Sequence, residues 1–357
     1  MLELKFDKTK CASCKAVSCL AKCQYMDFKD KEKAKAEWQK VINGEDSFIL
    51  HDCVTCYACE EYCPFGNHPF YLIVERQEEM GVLVSPRPVI TMWINQCQPV
   101  GRFMVGKVED KALSYCFLPA FNSLVNGELF EDIGSSMIFG QEFFCNAVYL
   151  HYARMSVIKD RLPKIIENIA KLGIKELVCL HDECYGTFVQ LAPAYGIEVP
   201  FKLIHYYKYL YDKLKELKDD IKTLNVKVAY QRNCSARLIP ETDHFVDDIF
   251  GLIGAERLKR EYDHENALCC AEIMRMAKGP ELADDVQKRN IDDMVKFGAE
   301  YCVFNCPACW DSLVEKVVRA GIKPIHMIDL CKLAIGEEPG LKPVLEGMPA
   351  LKAATEV

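Results

Sequence analysis

The chain has 357 residues, half of them apolar, enough to bury cores in two or three domains of ordinary size. Its formal charge of -8 is spread over mixed Lys, Glu and Asp, with no basic tract of the kind that draws a protein to nucleic acid, so nucleic acid is not an expected partner. The opening MLELKFDKTK lacks the apolar run of a secretory signal, and the most apolar stretch, Val82 to Val105, is broken by Pro86, Pro88, Gln96, Gln98 and Pro99. It falls short of the roughly 20 apolar residues of a spanning helix, so a cytoplasmic protein with no transmembrane segment is expected.

Twenty cysteines is several times the usual number. In a reducing cytosol disulfides are disfavoured, and most of these cysteines fall in tight groups that suit metal ligation better than distant bridges. The clearest group is Cys53, Cys56, Cys59 and Cys63 followed by Pro64, the C-x2-C-x2-C-x3-C-P run of bacterial ferredoxins. Two-residue spacing lets three thiolates wrap one face of a cubane, while the cysteine before proline serves a neighbouring cluster, so a partner run is required.

That partner lies upstream as Cys11, Cys14, Cys19 and Cys23, with two extra residues between its second and third cysteines. Crossed ligation then predicts one 4Fe-4S cluster on Cys11, Cys14, Cys19 and Cys63 and a second on Cys53, Cys56, Cys59 and Cys23. The competing reading is a pair of zinc knuckles, although zinc prefers ligands grouped as two pairs. Between the runs, Asp27 to Gly44 reads as a polar helix ended by glycine, with Ala34, Trp38 and Val41 as its apolar stripe. The joined runs resemble the helical two-cluster ferredoxin module of succinate dehydrogenase and heterodisulfide reductase type.

Beyond the segment SPRPV at 85–89, two stretches align at a constant offset. KLGIKELVCLHDECYGTF from Lys171 matches KFGAEYCVFNCPACWDSL from Lys296, and Gly196-Ile197 matches Gly321-Ile322. Leu162, Ile165, Ile166, Ile169 and Leu172 recur at helical spacing before the short apolar strand 176–180, and 301–305 is the matching strand of the second copy. Alternating strands and helices predict two related α/β domains with parallel sheets, spanning 87–218 and 219–357, after a helical domain at 1–86.

The cysteines fall where those strands end, as sites in open α/β folds do. In the second copy they are Cys234, the pair Cys269-Cys270, and Cys306-x-x-Cys309. This pattern resembles the cysteine-rich CCG domain found twice in the B-type subunit of heterodisulfide reductase. The resemblance implies a non-cubane 4Fe-4S cluster on those five cysteines; Ala271 stands where the motif has glycine, so the backbone beside the pair is expected to differ.

In the first copy the corresponding residues are Cys116, Phe144-Cys145 and His181-x-x-Cys184. Phenylalanine cannot ligate iron, so a second five-cysteine cluster is not expected. Cys116, Cys145, Cys184 and His181 form either a further iron-sulfur centre or a packed relic. The isolated Cys97, Cys179, Cys302 and Cys331 read as core packing, and the groups His151-Tyr152 and His205-Tyr206-Tyr207 as a packed surface rather than a cofactor box.

The chain carries no G-x-G-x-x-G after a strand, no G-x-x-x-x-G-K-[ST] and no G-x-S-x-G, so its chemistry is expected in clusters or in another subunit. A ferredoxin module joined to paired CCG domains resembles a fusion of the C and B subunits of heterodisulfide reductase. Similar layouts occur in subunits of electron-bifurcating complexes such as the tungsten benzoyl-CoA reductase system. The resemblance implies an electron relay between a flavoprotein subunit and other redox subunits. In the family two non-cubane clusters jointly cleave a disulfide, so a degenerate first copy favours the relay over a thiol-disulfide reductase, with a structural zinc protein as the third reading.

Overall fold

A computed structural model describes residues 6–96, 103–116 and 119–341; Cys97 lies outside them. The N-terminal region is helical, and two α/β units follow.

The start of the first cysteine run is a one-turn helix, Lys8–Ala12, capped by Asp7, whose carboxylate accepts from the Thr9 and Lys10 amides. Asn67, just past the second run, pairs with Asp7 through both backbone groups, at 2.8 Å each. This side chain ties the first run to the Cys63 end of the second. The linking helix forms at Lys31–Asn43, capped by Asp30 and ended by Gly44 at φ +76, with Ala34, Trp38, Val41 and also Ile42 buried. The helix Pro69–Glu79 is the core of this region; residues 69–77 are buried on every side.

The first sheet contains β1 (Phe103–Val105), β2 (Lys111–Ser114), β3 (Met137–Gly140), β4 (Glu176–Cys179) and β5 (Lys202–His205), in the order β1-β3-β2-β4-β5. The second contains β6 (Val226–Tyr230), β7 (Ala255–Arg257), β8 (Tyr301–Phe304) and β9 (Lys323–His326), in the order β7-β6-β8-β9. All pairs are parallel except β1 with β3, which adds one antiparallel edge strand to the first sheet. Setting that edge aside, the two orders are the same, and the duplication read from the sequence is visible as topology.

In each sheet the chain leaves the first strand, pairs on one side, and returns on the other. The point where the order reverses therefore lies between β2 and β4, and between β6 and β8, and the crevice at such a point is where open α/β sheets place their ligands. The helix Met155–Ala170 covers the first sheet with buried Ile158, Leu162, Ile165, Ile166 and Ile169, while Leu172 falls outside it. The units share a core: Leu113 and Val178 of one sheet belong to the same buried cluster as Val228 and Val303 of the other. Cys179, Cys302 and Cys331 are fully buried in these layers. His205 caps the helix Tyr206–Glu216 and pairs with buried Asp182 at 2.8 Å, so this aromatic group is interior rather than surface packing.

Candidate functional site

Two cavities in the helical region are lined by cysteines of both runs. Cys11, Cys14, Cys19 and Cys63 line one, and Cys23, Cys53, Cys56 and Cys59 line the other together with Cys19. Val17, Thr55 and Tyr57, which sit in the ligand loops, hold left-handed backbone at φ +49, +54 and +64, a conformation that costs side-chain-bearing residues energy and is kept where a loop must wrap a site. Amides turn toward sulfur: Thr55 N–H to Cys53 Sγ and Asn67 N–H to Cys63 Sγ, both at 3.4 Å. Burial pushes the Cys53 and Cys56 thiols up to about 12.

Trp38, read from the sequence only as part of an apolar stripe, donates its indole N–H to Cys11 Sγ at 3.0 Å. Trp38→Phe keeps the ring packing and removes that donor, so it is expected to cost about 1 kcal/mol of stability and to lower the midpoint potential of a centre held by Cys11. Urea unfolding and an EPR-monitored redox titration check the two effects; an unchanged potential would show that this hydrogen bond is structural only.

The C-terminal cysteines sit at the β6/β8 crevice. Cys234 follows β6, and Cys306 caps the helix Pro307–Arg319 with Cys309 in its first turn. Electrostatic coupling links Cys234 to Cys269, Cys269 to Cys270, Cys270 to Cys309 and Cys309 to Cys306, an arc of neighbours that all line one cavity. Contact with Cys269 holds the Cys234 thiol well below its usual range, with the His151 charge adding to this. Cys270 is held low by Cys269 and Cys309, and those two donors are pushed well above theirs.

Ala271 has φ +65, and Asn146, its counterpart after Phe144-Cys145, has φ +64. Ala271 thus holds left-handed backbone, a conformation that glycine reaches freely and alanine only at a steric cost. Its amide donates to Cys269 Sγ at 3.3 Å. Ala271→Gly is expected to leave metal content unchanged and stability within about 1 kcal/mol, strain relief offsetting the greater freedom of the unfolded chain, as thermal unfolding would record.

The first-copy residues face the same space. A cavity of about 190 Å³ is lined by all five C-terminal cysteines and by Cys116, Cys145, His181 and Glu183. Cys116, Cys145 and Cys184 lie with their sulfurs within 4.8 Å of one another, all buried, and could hold a metal ion; Cys116 Sγ and Cys184 Sγ are 2.6 Å apart. His181 is not part of that group. Burial would lower its imidazole, but its interaction with the Cys306 thiol and then the Glu183 charge raise it to about 10. The expected set of three thiols and one imidazole is thus brought together only as the three thiols.

His151, read from the sequence as packing, also lines this cavity. Its Nδ1 lies 3.1 Å from Thr55 Oγ1 in the second cysteine run, and its Nε2 lies 3.6 Å from Cys234 Sγ. Burial would lower it, but Cys234 and then Glu183 raise it to about 9. The Glu183 carboxylate lies 3.9 Å from His151 and 3.8 Å from His181, and burial pushes it up to about 7 in spite of both. Its place inside the H-x-x-C of the first copy was the one available signal; nothing in the sequence marked His151.

The helical region is locked to this site by charge. Glu61, between Cys59 and Cys63, accepts from both Nη atoms of buried Arg232 at 2.6 and 2.7 Å and from Arg237 Nε at 3.1 Å. Arg237 also donates to the Cys56 and Ala267 carbonyls. Tyr25, two residues past Cys23, accepts the Cys269 N–H at 2.9 Å and packs beside Cys56 against the clusters that hold Cys269, Cys270 and Leu268.

The sequence at this crevice matches a known family model over the second copy. Residues 228–313 match the CCG cysteine-rich domain. The match takes in the end of β6, all of β8 and all five cysteines of the arc. No curated protein matches the chain. Among solved structures, a hypothetical protein from Helicobacter pylori is 12% identical with a TM-score of 0.53, covering 87% of this chain and 65% of its own, so the chain spans about two thirds of that protein's length. At this identity the likeness shows the fold alone. An aspartate racemase from Picrophilus torridus is 9% identical with a TM-score of 0.33, over 65% of this chain and 96% of its own. The CCG match stands together with an N-terminal helical region and two α/β units, and no helix among the described residues is long and apolar enough to cross a membrane.

Proposed function

We propose that the chain is an iron-sulfur electron-transfer subunit of a larger, flavin-linked oxidoreductase, passing electrons between a flavoprotein subunit and a partner or acceptor. Cys11, Cys14, Cys19 and Cys63 would hold one 4Fe-4S cluster, Cys23, Cys53, Cys56 and Cys59 a second, and the arc Cys234, Cys269, Cys270, Cys306 and Cys309 a non-cubane cluster. Such clusters, when bound, supply one-electron chemistry. The donor sets suit them: all five C-terminal thiols line one cavity, and the two N-terminal sets each line their own.

The observation that carries the reading is contiguity. Cys19 lines both N-terminal cavities, and Tyr25 joins the second set to the arc through the Cys269 amide. The residues in between exclude water: Tyr57, Phe70 and Tyr62 are buried around the second set. A second reading, a thiol-disulfide reductase, is favoured by His151, His181 and Glu183, which can hold protons where a disulfide would be cleaved at the arc.

Iron and acid-labile sulfide analysis of anaerobically purified protein, with EPR of its reduced and oxidised forms, tests the proposal. About 12 iron atoms per chain are expected. About eight would remove the C-terminal assignment, and a colourless, zinc-bearing preparation would remove all of it. Iron beyond about 12 would point to a further centre at Cys116, Cys145, His181 and Cys184.

A further inference from the structure

The two N-terminal cysteine sets differ in what surrounds them. The second is enclosed by aromatic side chains and by the CCG domain, through Tyr25, Glu61, Arg232 and Arg237. The first borders the surface: Ala12, Ser13, Lys15 and Ala16 between and after its half-buried Cys11 and Cys14 are exposed. The stretch that carries Cys11 and Cys14 is basic between two flanking acids, Asp7 and Asp27, while Lys35 beside it is paired with Glu32 at 2.9 Å. From Lys8 to Met26 the chain carries Lys8, Lys10, Lys15 and Lys22 and no Asp or Glu, although the whole molecule is at -8. All four lysines are exposed, and Phe65, beside Cys63 and Lys10 on the same cavity wall, is 45% exposed. An open pocket of about 410 Å³, lined by Lys8, Lys35 and Trp38, leads to Cys11 and Cys14.

We propose that this basic rim around Cys11 and Cys14 is the docking face for a small acidic one-electron carrier protein, with Phe65 as its apolar contact. The proposal rests on the iron-sulfur reading of the first cysteine set. The physical basis is complementarity: like charges gathered around one spot on an otherwise acidic surface repel basic proteins, attract acidic ones and orient them so that the partner's redox centre meets the thinnest part of the protein wall. The remaining acidic surface turns the same partner away elsewhere, which makes the rim selective rather than merely attractive.

The test uses the holoprotein and, as the probe, an acidic 2Fe-2S ferredoxin, with basic cytochrome c as the opposite-charge control. Binding is measured by surface plasmon resonance at low and high ionic strength for the wild type, Lys10→Glu/Lys15→Glu, and Lys159→Glu, a lysine exposed on a distant helix. The ferredoxin is expected to bind the wild type and Lys159→Glu alike, to bind the double variant at least about tenfold more weakly at low salt, and to lose its preference at high salt. Iron content and EPR signals unchanged in the double variant separate loss of docking from loss of the clusters. Equal binding by wild type and double variant, tighter binding of cytochrome c, or binding of a short DNA duplex as tight as that of the ferredoxin would each overturn the proposal.

Discussion

Cys270→Ala is expected to remove about four iron atoms per chain from anaerobically purified protein and to erase one paramagnetic signal, leaving those of the N-terminal sets in place. Cys270 is the middle of the arc, touching Cys269 on one side and Cys309 on the other. Its carbonyl accepts from Gln287 Nε2 at 2.8 Å, which fixes the loop that presents it. Removing an end thiol could be compensated by a neighbour, whereas removing the centre splits the arc into two pairs, neither able to hold a polynuclear centre. Cys302→Ala, a buried strand cysteine away from the cavity wall, is the control and is expected to keep full iron at a stability cost of about 1 kcal/mol. Unchanged iron in Cys270→Ala would sink the C-terminal assignment.

Glu61→Ala is expected to destabilise the protein by about 3 kcal/mol and to loosen the helical region from the CCG domain. Burial would raise the Glu61 carboxyl, yet the hydrogen bonds and charges of Arg232 and Arg237 hold it below the usual carboxylate range. The pairing is bidentate and desolvated, the geometry in which an ion pair matters to stability. Without Glu61, Arg232 keeps Asp243 at 2.7 Å, but buried Arg237 is left with carbonyls alone. The effect is therefore that of a stranded charge rather than of a lost surface bridge. Urea unfolding gives the magnitude, and amide hydrogen exchange of residues 53–63 and 231–238 gives the location. A variant that unfolds at the wild-type urea concentration and exchanges no faster in these segments would show that the two regions are held by apolar contact instead.

The parts of the structure most legible in the sequence were those governed by local chemistry. The linking helix was legible through its terminal glycine, Gly44, while its start lies later than the expected Asp27, at Lys31 after the capping Asp30. The strands at 176–179 and 301–304, the helix that precedes the first of them and the repeat relating the copies followed from periodicity and turn residues, because burial on one face imposes a fixed spacing. The parallel sheets followed from the alternation of strands and helices, though not the antiparallel edge strand β1, whose partner is distant in sequence.

The sites were legible only as far as their members carry a spacing signal. Cysteine runs do, since ligands to one centre must lie within a few residues of one another, and the five cysteines of the second copy lie inside the residues that match the CCG domain. His151, Trp38, Tyr25 and Arg237 do not, since each reaches its partner across the fold. The first copy shows the same limit from the other side: local spacing grouped His181 with Cys184, but His181 interacts with Cys306 of the second copy while Cys184 meets Cys116 and Cys145.

By itself, then, the sequence determined that this is a cysteine-rich protein with two ferredoxin-type runs and a duplicated α/β unit, because ligand spacing and hydrophobic period are short-range properties written directly in residue order. Only the tertiary structure decided that both copies open on one cavity, that His151 and Glu183 belong to it, and that the helical region is clamped against it through Glu61 and Tyr25. Those contacts arise where two sheets reverse their strand order side by side, and no local pattern specifies which surfaces will then meet.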